Sequence, residues 1–313
     1  MLVDVVMGGP GRESAVSLRS GRAIADGLTR KGHDVKQVEI AQQLDPTALR
    51  SGAVVFNTVH GTYGEDGHLQ AELDVLGKSY VGSDARVSAL CMDKEKTKEC
   101  LRAAGIRVPW GVAIHLGTPF QVKDFKLPHF GPLVLKPRSD GSSVGLRMVA
   151  NPSFVLPACE ELIREVGAVP YLLEERLPGP EFTVAVLGDG AAATALPPLT
   201  IKPADGLFDY EAKYNRADTA EIPVTDAAVA ARLSELALAA HRAAGCRDLS
   251  RSDLMRTADG DYAVLEINTL PGFTSASLVP KAALAAGIGF DDLVDRLVRC
   301  AASRNGGACG TAR

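Results

Sequence analysis

The segment LSRSDLMRTADGDYAVLEIN, residues 249–268, decides the fold of the second half of the chain. Apolar and polar residues alternate on both sides of an Asp-Gly dipeptide, which is the pattern of two half-buried β-strands. Asp-Gly also favours the two-residue type I′ turn of a tight hairpin. We therefore predict an antiparallel hairpin with Asp259 and Gly260 as its turn. Its apolar face is predicted to carry Leu254, Leu265 and Ile267.

The other face of this hairpin gathers charged and amide side chains. In the register set by the Asp-Gly turn, Asp253 lies opposite Glu266 and Arg251 lies opposite Asn268, and residues two apart share a face. Two facing carboxylates destabilise a sheet unless a cation lies between them, and hard oxygen ligands suit Mg²⁺. Because proteins usually hold Mg²⁺ together with phosphate oxygens, the pattern also predicts a nucleotide. The alternative is a solvated polar face with an Arg–Asp salt bridge.

Two lysines stand beside features that suit phosphate. Lys136 ends a strand-like run in PLVLKPRSDGSSVGL, residues 132–146, whose Gly/Ser loop offers backbone N–H groups and hydroxyls to phosphate oxygens. This lysine precedes the glycines, unlike that of a Walker loop, and surface turns use the same residues. Lys94 begins a helix that Asp93 is predicted to cap and Gly105 to end, where a lysine is more often only solvated. The residues alone leave both alternatives open.

Two glutamates flank the Pro/Gly connection in YLLEERLPGPEFTV, residues 171–184. Glu174 and Glu181 both adjoin apolar strand residues. Their carboxylates could accept hydrogen bonds from an adenine amino group and from ribose hydroxyls. Exposed charges at strand ends explain them equally well.

The chain is predicted to divide into three parts with a fold of α/β and α+β class. Residues 1–85 alternate strands and helices as an open α/β domain, with a helix over about 14–31 that ends before Gly32. Residues 86–170 change to an α+β pattern and form a central part. Residues 171–313 form the C-terminal part, which contains the hairpin and a long helix.

Composition limits the classes of function. The 313 residues are 46% hydrophobic and carry a net charge of -4, without a basic stripe, which argues against nucleic acid as a partner. No apolar run reaches the length of a membrane span, and the N-terminus lacks the features of a signal peptide, so we expect a cytoplasmic protein with small-molecule substrates. The cysteines show no CxxC spacing, which argues against zinc and against a disulfide scaffold.

Eight motifs, in this order, resemble the D-alanine–D-alanine ligase family of the ATP-grasp fold. They are GGPGRESAVS, HGTYGEDGHLQ, MDKEKTK, LVLKPRSDGSSVGL, LEERLPGPEFTVAVL, FDYEAKY, RSDLM and LEINTLPGFTSASLVPKAA. The resemblance implies an N-terminal open parallel α/β domain followed by a two-subdomain ATP-grasp fold. It also implies ATP-dependent ligation of two D-alanine molecules through an acylphosphate, which supplies a peptidoglycan precursor, and a homodimer.

The resemblance further implies roles for single residues. The groups expected to hold ATP are Lys94, Lys136, Ser142, Glu174, the backbone near Leu177, and Glu181. The ligands expected for two Mg²⁺ ions, with Mn²⁺ as a possible substitute, are Asp253, Glu266 and Asn268.

For the amino-acid substrates, the resemblance places the first D-alanine beside Glu13 and His60. A link from Glu13 through Ser142 to Tyr214 would close a mobile loop over the site. An oxyanion hole is expected from Arg251 and the N–H of Gly272. The carboxylate of the second D-alanine is expected to meet Lys213, Ser277 and the Leu278 backbone.

One departure from the family pattern leaves the first substrate open. Gly11 stands where the family usually has Ser, which puts in doubt the turn that presents Glu13. The alternatives are a ligase with another acceptor, such as D-serine, in a biosynthetic pathway, or a catalytically inactive nucleotide-binding module. The EAKY pattern that contains Tyr214 argues against a D-lactate acceptor.

Overall fold

The fold is taken from a computed structural model, which describes residues 1–119, 131–139, 145–202, 220–274 and 276–304. The helices are α1 (Ser14–Arg30), α2 (His68–Val75), α3 (Ala85–Met92), α4 (Lys94–Ala103), α5 (Val155–Val166), α6 (Ala227–Ala244), α7 (Leu278–Ala285) and α8 (Phe290–Ser303). The strands are β1 (Leu2–Gly8), β2 (Asp34–Ile40), β3 (Val54–Asn57), β4 (Gly111–His115), β5 (Leu133–Pro137), β6 (Arg147–Val149), β7 (Pro170–Glu175), β8 (Glu181–Leu187), β9 (Thr194–Ala195), β10 (Leu199–Lys202), β11 (Ala220–Pro223), β12 (Leu249–Arg256) and β13 (Tyr262–Asn268).

The N-terminal part is an open parallel sheet, as predicted. Its strand order is β2-β1-β3, and both neighbours run parallel to β1. Val3 and Val5 of β1 are buried, which suits a central strand covered on both faces. Helix α1 packs on this sheet through Ile24 and Leu28, and Gly32 follows its end in a left-handed conformation with φ of +81°.

The segment SYVG, residues 79–82, forms a strand of minimal length, with one parallel bridge between Val55 and Tyr80. Gly82 then leaves the sheet with φ of +100°, and its N–H donates to Asp248 Oδ2 at 2.8 Å. This side chain replaces the next ladder partner and so ends the strand.

The middle sheet has the order β4-β7-β5-β6, with antiparallel neighbours throughout. Helix α5 covers one face through Val155 and Leu162, which pack with Leu133 and Leu173. Strand β7 begins at Pro170 and belongs to this sheet. The domain boundaries at residues 85 and 170 stay predictions.

The C-terminal sheet has the order β11-β10-β8-β12-β13, with β9 attached to β8. Helix α6 covers it through Leu233 and Leu236, and helix α4 joins the same core through Leu101. Asp93 caps α4 by accepting hydrogen bonds from the backbone N–H groups of Glu95 and Lys96, as the sequence predicted for a cap at this position. Helix α4 thus belongs to the core of the C-terminal sheet.

The predicted hairpin is present, and its site half has the predicted register. Strands β12 and β13 pair Arg251 with Asn268 and Asp253 with Glu266. A β-bulge between Asp253 and Leu254 then shifts the register towards the turn. The bulge therefore lies directly beside the paired carboxylates, at a position where bulges commonly re-aim side chains.

The two-residue turn predicted at Asp259 and Gly260 was wrong. The Thr257 N–H donates to the Asp261 carbonyl at 2.8 Å, so three residues rather than two form the connection. Gly260 has φ of +91°, as in hairpins with a left-handed glycine after a type I turn. The shift also makes Val264 the buried partner of Leu254, and Leu265, predicted to lie on the apolar face, is the extra residue of the bulge and half-buried.

The chain's last described helix joins the N-terminal part. Helix α8 contributes Leu293 and Val294 to the core that contains Ile24 and Leu28 of α1. At the rim, Arg30 donates to both carboxylate oxygens of Asp291, with both distances at 2.7 Å. The first sheet is therefore fixed against the C-terminal part on one side of the site.

No helix in the described ranges is long and apolar enough to cross a membrane. The cysteines in these ranges are free thiols, and all except Cys100 are buried: Cys91, Cys100, Cys159, Cys246 and Cys300.

Candidate active site

On the hairpin face that carries the predicted site, Asp253 is buried, and Arg251, Glu266 and Asn268 are half-buried. Asp253 is 2% exposed, and Arg251 binds both of its carboxylate oxygens, Nε to Oδ1 at 2.9 Å and Nη2 to Oδ2 at 2.8 Å. The Thr183 hydroxyl donates to Oδ1 at 2.7 Å, and Asn268 Nδ2 donates to Oδ2 at 3.2 Å. The Arg–Asp salt bridge that we considered as an alternative to a metal site is therefore present. It belongs to a buried hydrogen-bond network, however, and does not lie on a solvated polar face.

Glu266 and Asn268 open onto a cavity that they share with a lysine. The same cavity is lined by Lys94 at the start of α4 and by Glu65 from the loop after β3. One cavity therefore brings Glu266 and Asn268 of β13 together with Lys94 of α4 and with Glu65 of the N-terminal part.

A second charged group lies between the two larger sheets. Lys136 Nζ is 2.8 Å from Glu174 Oε2, and Lys98 of α4 makes an ion pair with Glu174 Oε1. Burial lowers the pKa of Lys98 well below its ordinary value, and the like charge of Lys136 acts in the same direction. Lys94 and Glu266 also act electrostatically on Lys98, so this group adjoins the cavity described above.

Arg138, two residues after Lys136, ties the end of β5 to the start of α4. Its guanidinium donates to both oxygens of Asp93, at 2.9 and 2.7 Å, and forms an ion pair with Glu95 at 2.7 Å. The Lys94 N–H donates to the Arg138 carbonyl at 3.0 Å. Although burial alone would raise it, the hydrogen bond from Arg138 lowers the pKa of Asp93. The two lysines predicted to hold phosphate are therefore fixed to one another through backbone.

His60 is buried at the end of the N-terminal sheet. Its Nδ1 lies 3.0 Å from Glu65 Oε1, and it lines a crevice with Leu270, Pro271 and other residues that follow β13. Burial lowers the pKa of His60, but the hydrogen bond and charge of Glu65, with the charge of Glu13, raise it overall. Glu13, at the start of α1, thus acts on the same imidazole.

The loop after β13 brings a glycine to the N-terminus of α7. Ser277 precedes this helix, and its Oγ accepts a hydrogen bond from the Thr274 N–H at 3.0 Å. A Cβ at Gly272 would lie 3.2 Å from Ser277 Oγ, so the backbone passes close to this hydroxyl. Leu278 is the first residue of the helix and half-buried.

The two remaining residues predicted to hold adenosine lie at the junction of the sheets. Leu177 is buried in the connection between β7 and β8. Glu181 begins β8, where it pairs with Met255 on one side and Ile201 on the other. Neither contact by itself assigns a ligand.

Comparison with known proteins agrees with this arrangement. A family model described as D-ala D-ala ligase C-terminus matches residues 121–299. A protein named D-alanine–D-alanine ligase from Desulforudis audaxviator is 39% identical over 305 residues, which are 96% of this chain and 99% of that protein. The chain belongs to the D-alanine–D-alanine ligase family.

Solved structures of this ligase family share the whole fold. A crystal structure of D-alanine–D-alanine ligase from Bacillus anthracis matches with a TM-score of 0.84 and 32% identity, over 97% of this chain and 98% of that one. A structure of a ligase from the same organism complexed with ATP matches with a TM-score of 0.82 and 28% identity, over the same shares of both chains. The two-subdomain ATP-grasp fold predicted from the motifs is confirmed.

Three residues predicted from the ligase resemblance lie outside the described residues: Ser142, Lys213 and Tyr214. The link from Glu13 through Ser142 to Tyr214 therefore stays a prediction.

Several residues of the site were missed by the sequence analysis of this ligase. Lys98 lies one helical turn after Lys94 and so on the same face of α4, a spacing that could have pointed to it. Glu65 stands five residues after His60 within the HGTYGEDG loop. Thr183 and Arg138 had no comparable signal, because their partners lie on other elements.

The donor set at β12 and β13 fits a hard divalent cation. Asp253, Glu266 and Asn268 offer carboxylate and amide oxygens, which Mg²⁺ prefers. They do not form a cluster of three acidic, His or Cys side chains, and the described part of the chain contains no such cluster. Magnesium is usually held by one or two carboxylates together with phosphate oxygens, so two carboxylates and one amide suffice for that arrangement.

Proposed function

We propose that the chain ligates two D-alanine molecules to D-alanyl-D-alanine at the expense of ATP and so supplies a precursor of peptidoglycan. The observation that carries this proposal is the polar face of the hairpin formed by β12 and β13. There Arg251, Asp253, Glu266 and Asn268 stand together, beside the cavity that Lys94 lines.

The first step activates a carboxylate. A carboxylate and an amine do not condense in neutral water, so one carboxylate oxygen must first become part of a good leaving group. The carboxylate oxygen of the first D-alanine attacks the γ-phosphorus of ATP, and ADP leaves as the new O–P bond forms. We assign the phosphates to Lys94 and Lys136.

Adenosine would be held beside these lysines. We assign it to Glu174, the Leu177 backbone and Glu181, which lie where the middle sheet meets the C-terminal sheet. The B. anthracis ligase that was solved in complex with ATP supports a nucleotide in this fold. Ser142, which lies outside the described residues, is proposed as a further phosphate contact.

Asp253, Glu266 and Asn268 would hold two Mg²⁺ ions, or Mn²⁺ in their place. The ions would supply positive charge that neutralises the phosphate oxygens. Arg251 is fixed in position by both oxygens of Asp253, so its guanidinium is pre-organised for charge on the reacting groups.

The second step forms the peptide bond. The amine nitrogen of the second D-alanine attacks the acyl carbon, loses a proton, and phosphate leaves as the C–O bond breaks. We assign the oxyanion of the tetrahedral intermediate to Arg251 and the Gly272 N–H. Ser277, the Leu278 backbone and Lys213 would receive the carboxylate of this substrate.

Glu13 and His60 would hold the first D-alanine. The carboxylate of Glu13 suits its ammonium group, and His60 lines the crevice, with Glu13 near enough for its charge to act on the imidazole. An acylphosphate hydrolyses in water, so the site must close during the reaction. We assign closure to the loop that contains Tyr214.

The dependence on ATP and the peptidoglycan product favour a cytoplasmic location. The family membership favours a homodimer, without nucleic-acid or membrane partners.

The test is phosphate release with ATP, Mg²⁺ and a panel of D- and L-amino acids, followed by mass analysis of the product. We expect release with D-alanine and a product with the mass of D-alanyl-D-alanine. A mixed product with D-serine or another acceptor would change the assigned substrate, and the absence of any amino-acid-dependent release would refute ligation.

A further inference from the structure

Lys98 is the most deeply buried cation among the described residues of the candidate site. Its side chain is 1% exposed, and it forms an ion pair with Glu174, of which the side chain is 3% exposed. The other carboxylate oxygen of Glu174 binds Lys136 Nζ at 2.8 Å. One buried carboxylate is therefore shared by two ammonium groups.

This ion pair joins the two halves of the nucleotide cleft. Lys98 lies on α4, which packs through Leu101 into the core of the C-terminal sheet. Glu174 lies on β7, between β4 and β5 in the middle sheet. A charged contact across two subdomains fixes their relative position at the floor of the cleft.

The sharing of Glu174 also sets the charge available to a ligand. Charges interact more strongly in a buried site than in water, so a carboxylate neutralises an adjacent ammonium group effectively there. Burial lowers the pKa of Lys98, but the adjacent Glu174 carboxylate favours its protonated form, in which the three groups carry one surplus positive charge. Without Lys98, Glu174 would pair with Lys136 alone, and these two groups would carry no net charge.

We propose that Lys98 is a positioning residue for the nucleotide, which acts through Glu174 on Lys136. Lys98 holds one oxygen of Glu174, so that the other oxygen orients Lys136 without cancelling its charge towards a triphosphate. This inference rests on the proposed function, because it takes ATP as the ligand of Lys136.

A purely structural role is the competing explanation. In that case Lys98 would only fill space between α4 and β7, and its removal would lower stability without a specific effect on nucleotide affinity. The charge of Glu174 distinguishes the two roles, because charge balance predicts that neutralising Glu174 compensates for the loss of Lys98.

The test compares Lys98→Met, Glu174→Gln and the double variant Lys98→Met/Glu174→Gln with the control Lys96→Met, which removes an exposed lysine from the same helix. The affinity for a non-hydrolysable ATP analogue with Mg²⁺ is measured by calorimetry on the full chain, together with kcat and the KM values for ATP and D-alanine. Thermal unfolding is followed in parallel.

We expect Lys98→Met to weaken nucleotide binding and raise the KM for ATP by about tenfold, a typical consequence of altering a buried charge pair at a binding site. The KM for D-alanine should change by less than about twofold, and the double variant should lose less affinity than the sum of the losses in Lys98→Met and Glu174→Gln. Lys96→Met should bind like the wild type. Should Lys98→Met not fold, Lys98→Gln is used, because it places a polar amide beside Glu174 without the charge and is expected to lose the same affinity.

Nucleotide affinity of the Lys98 variant within about twofold of wild type, or losses of the two single variants that simply add in the double variant, would overturn the proposal. If the wild type itself bound no nucleotide, the proposed function would fail instead. Binding of the nucleotide without ligation of D-alanine would change the assigned reaction but leave this inference open to the same comparison of variants.

Discussion

Arg251 and Asp253 form a two-pronged salt bridge on one strand, with Nε 2.9 Å from Oδ1 and Nη2 2.8 Å from Oδ2. The pair lies on the buried face of β12, where Asn268 of β13 also binds the carboxylate. The same aspartate thus orients the guanidinium proposed for the oxyanion and offers oxygens proposed for Mg²⁺. Both roles depend on its negative charge.

Asp253→Asn should therefore abolish turnover while preserving the shape of the side chain. We expect kcat to fall by about 10³-fold or more, since a metal ligand and the orientation of a charge-stabilising group are lost together. Phosphate release over a series of Mg²⁺ concentrations measures this effect. The matched control is Asp259→Asn in the turn of the same hairpin, where the side chain is 61% exposed, and activity should be unchanged. Full activity of Asp253→Asn would contradict the metal assignment.

His60 should make stability depend on pH through its contact with Glu65. The folded-state pKa of this histidine is raised, because the hydrogen bond and charge of Glu65 outweigh burial. Its contribution to stability is thus fully present below the ordinary pKa of 6.5 and is lost as pH rises through the higher folded-state value. Glu65→Gln should remove most of this dependence. Urea unfolding of both proteins between pH 5 and 9 measures it, and identical pH profiles would disprove the coupling.

His241 predicts the opposite dependence. It is fully buried, its Nδ1 lies 2.7 Å from Ser250 Oγ and its Nε2 lies 3.0 Å from the Gly188 carbonyl. Burial lowers the pKa of His241 from 6.5 to about 4, although the Gly188 carbonyl opposes this. The unfolded chain therefore binds a proton at a pH where the folded chain does not.

Because of this histidine, the free energy of unfolding should decrease as pH falls from 6.5 towards 4. The loss is about 3 kcal/mol in full, at roughly 1.4 kcal/mol per pKa unit. His241→Gln should show a shallower fall over the same window, whatever its stability at neutral pH. Unfolding in urea at pH 7, 5.5 and 4.5 gives the slope, and a variant with the slope of the wild type would exclude this histidine as its source.

The alternation of residues in the hairpin was sufficient to predict which side chains share the site. The register counted from the Asp-Gly turn placed Asp253 opposite Glu266, and that pairing is confirmed because the three-residue connection and the bulge shift the register in opposite directions. The alternation of apolar and polar residues did not indicate the bulge after Asp253, because the extra residue of the bulge, Leu265, is itself apolar. The turn length was wrong because a left-handed glycine suits a three-residue connection as well as a two-residue one.

Contacts between distant elements could not be predicted in this way. Lys98 and Glu174 belong to a helix and a strand whose approach is fixed by the packing of two subdomains, and neither residue's neighbours in the sequence indicate the partner. The His60–Glu65 contact needs a loop in which Tyr63 adopts φ of +80°, a conformation that no periodic pattern encodes. For residues such as Lys136 and Glu181, the neighbouring sequence allowed both a functional and a purely structural role. Only the resemblance of the motifs to a known family favoured the functional one.

Gly11→Ser should be tolerated, although Gly11 is a departure from the family pattern. Its φ is not in the left-handed region, and an added Cβ would lie 3.4 Å from the His60 carbonyl oxygen, a contact near the ordinary range. Replacing a glycine at such a position restricts the unfolded chain, so we expect stability to change by no more than about 1 kcal/mol, with a gain if the carbonyl accommodates the Cβ. Gly9→Ser is the contrasting variant, because Gly9 has φ of +99° and its Cβ would lie 2.4 Å from Val59 Cγ1. Thermal unfolding of both variants decides the matter: a loss at position 11 as large as that at position 9 would mean that glycine is required for the turn that presents Glu13.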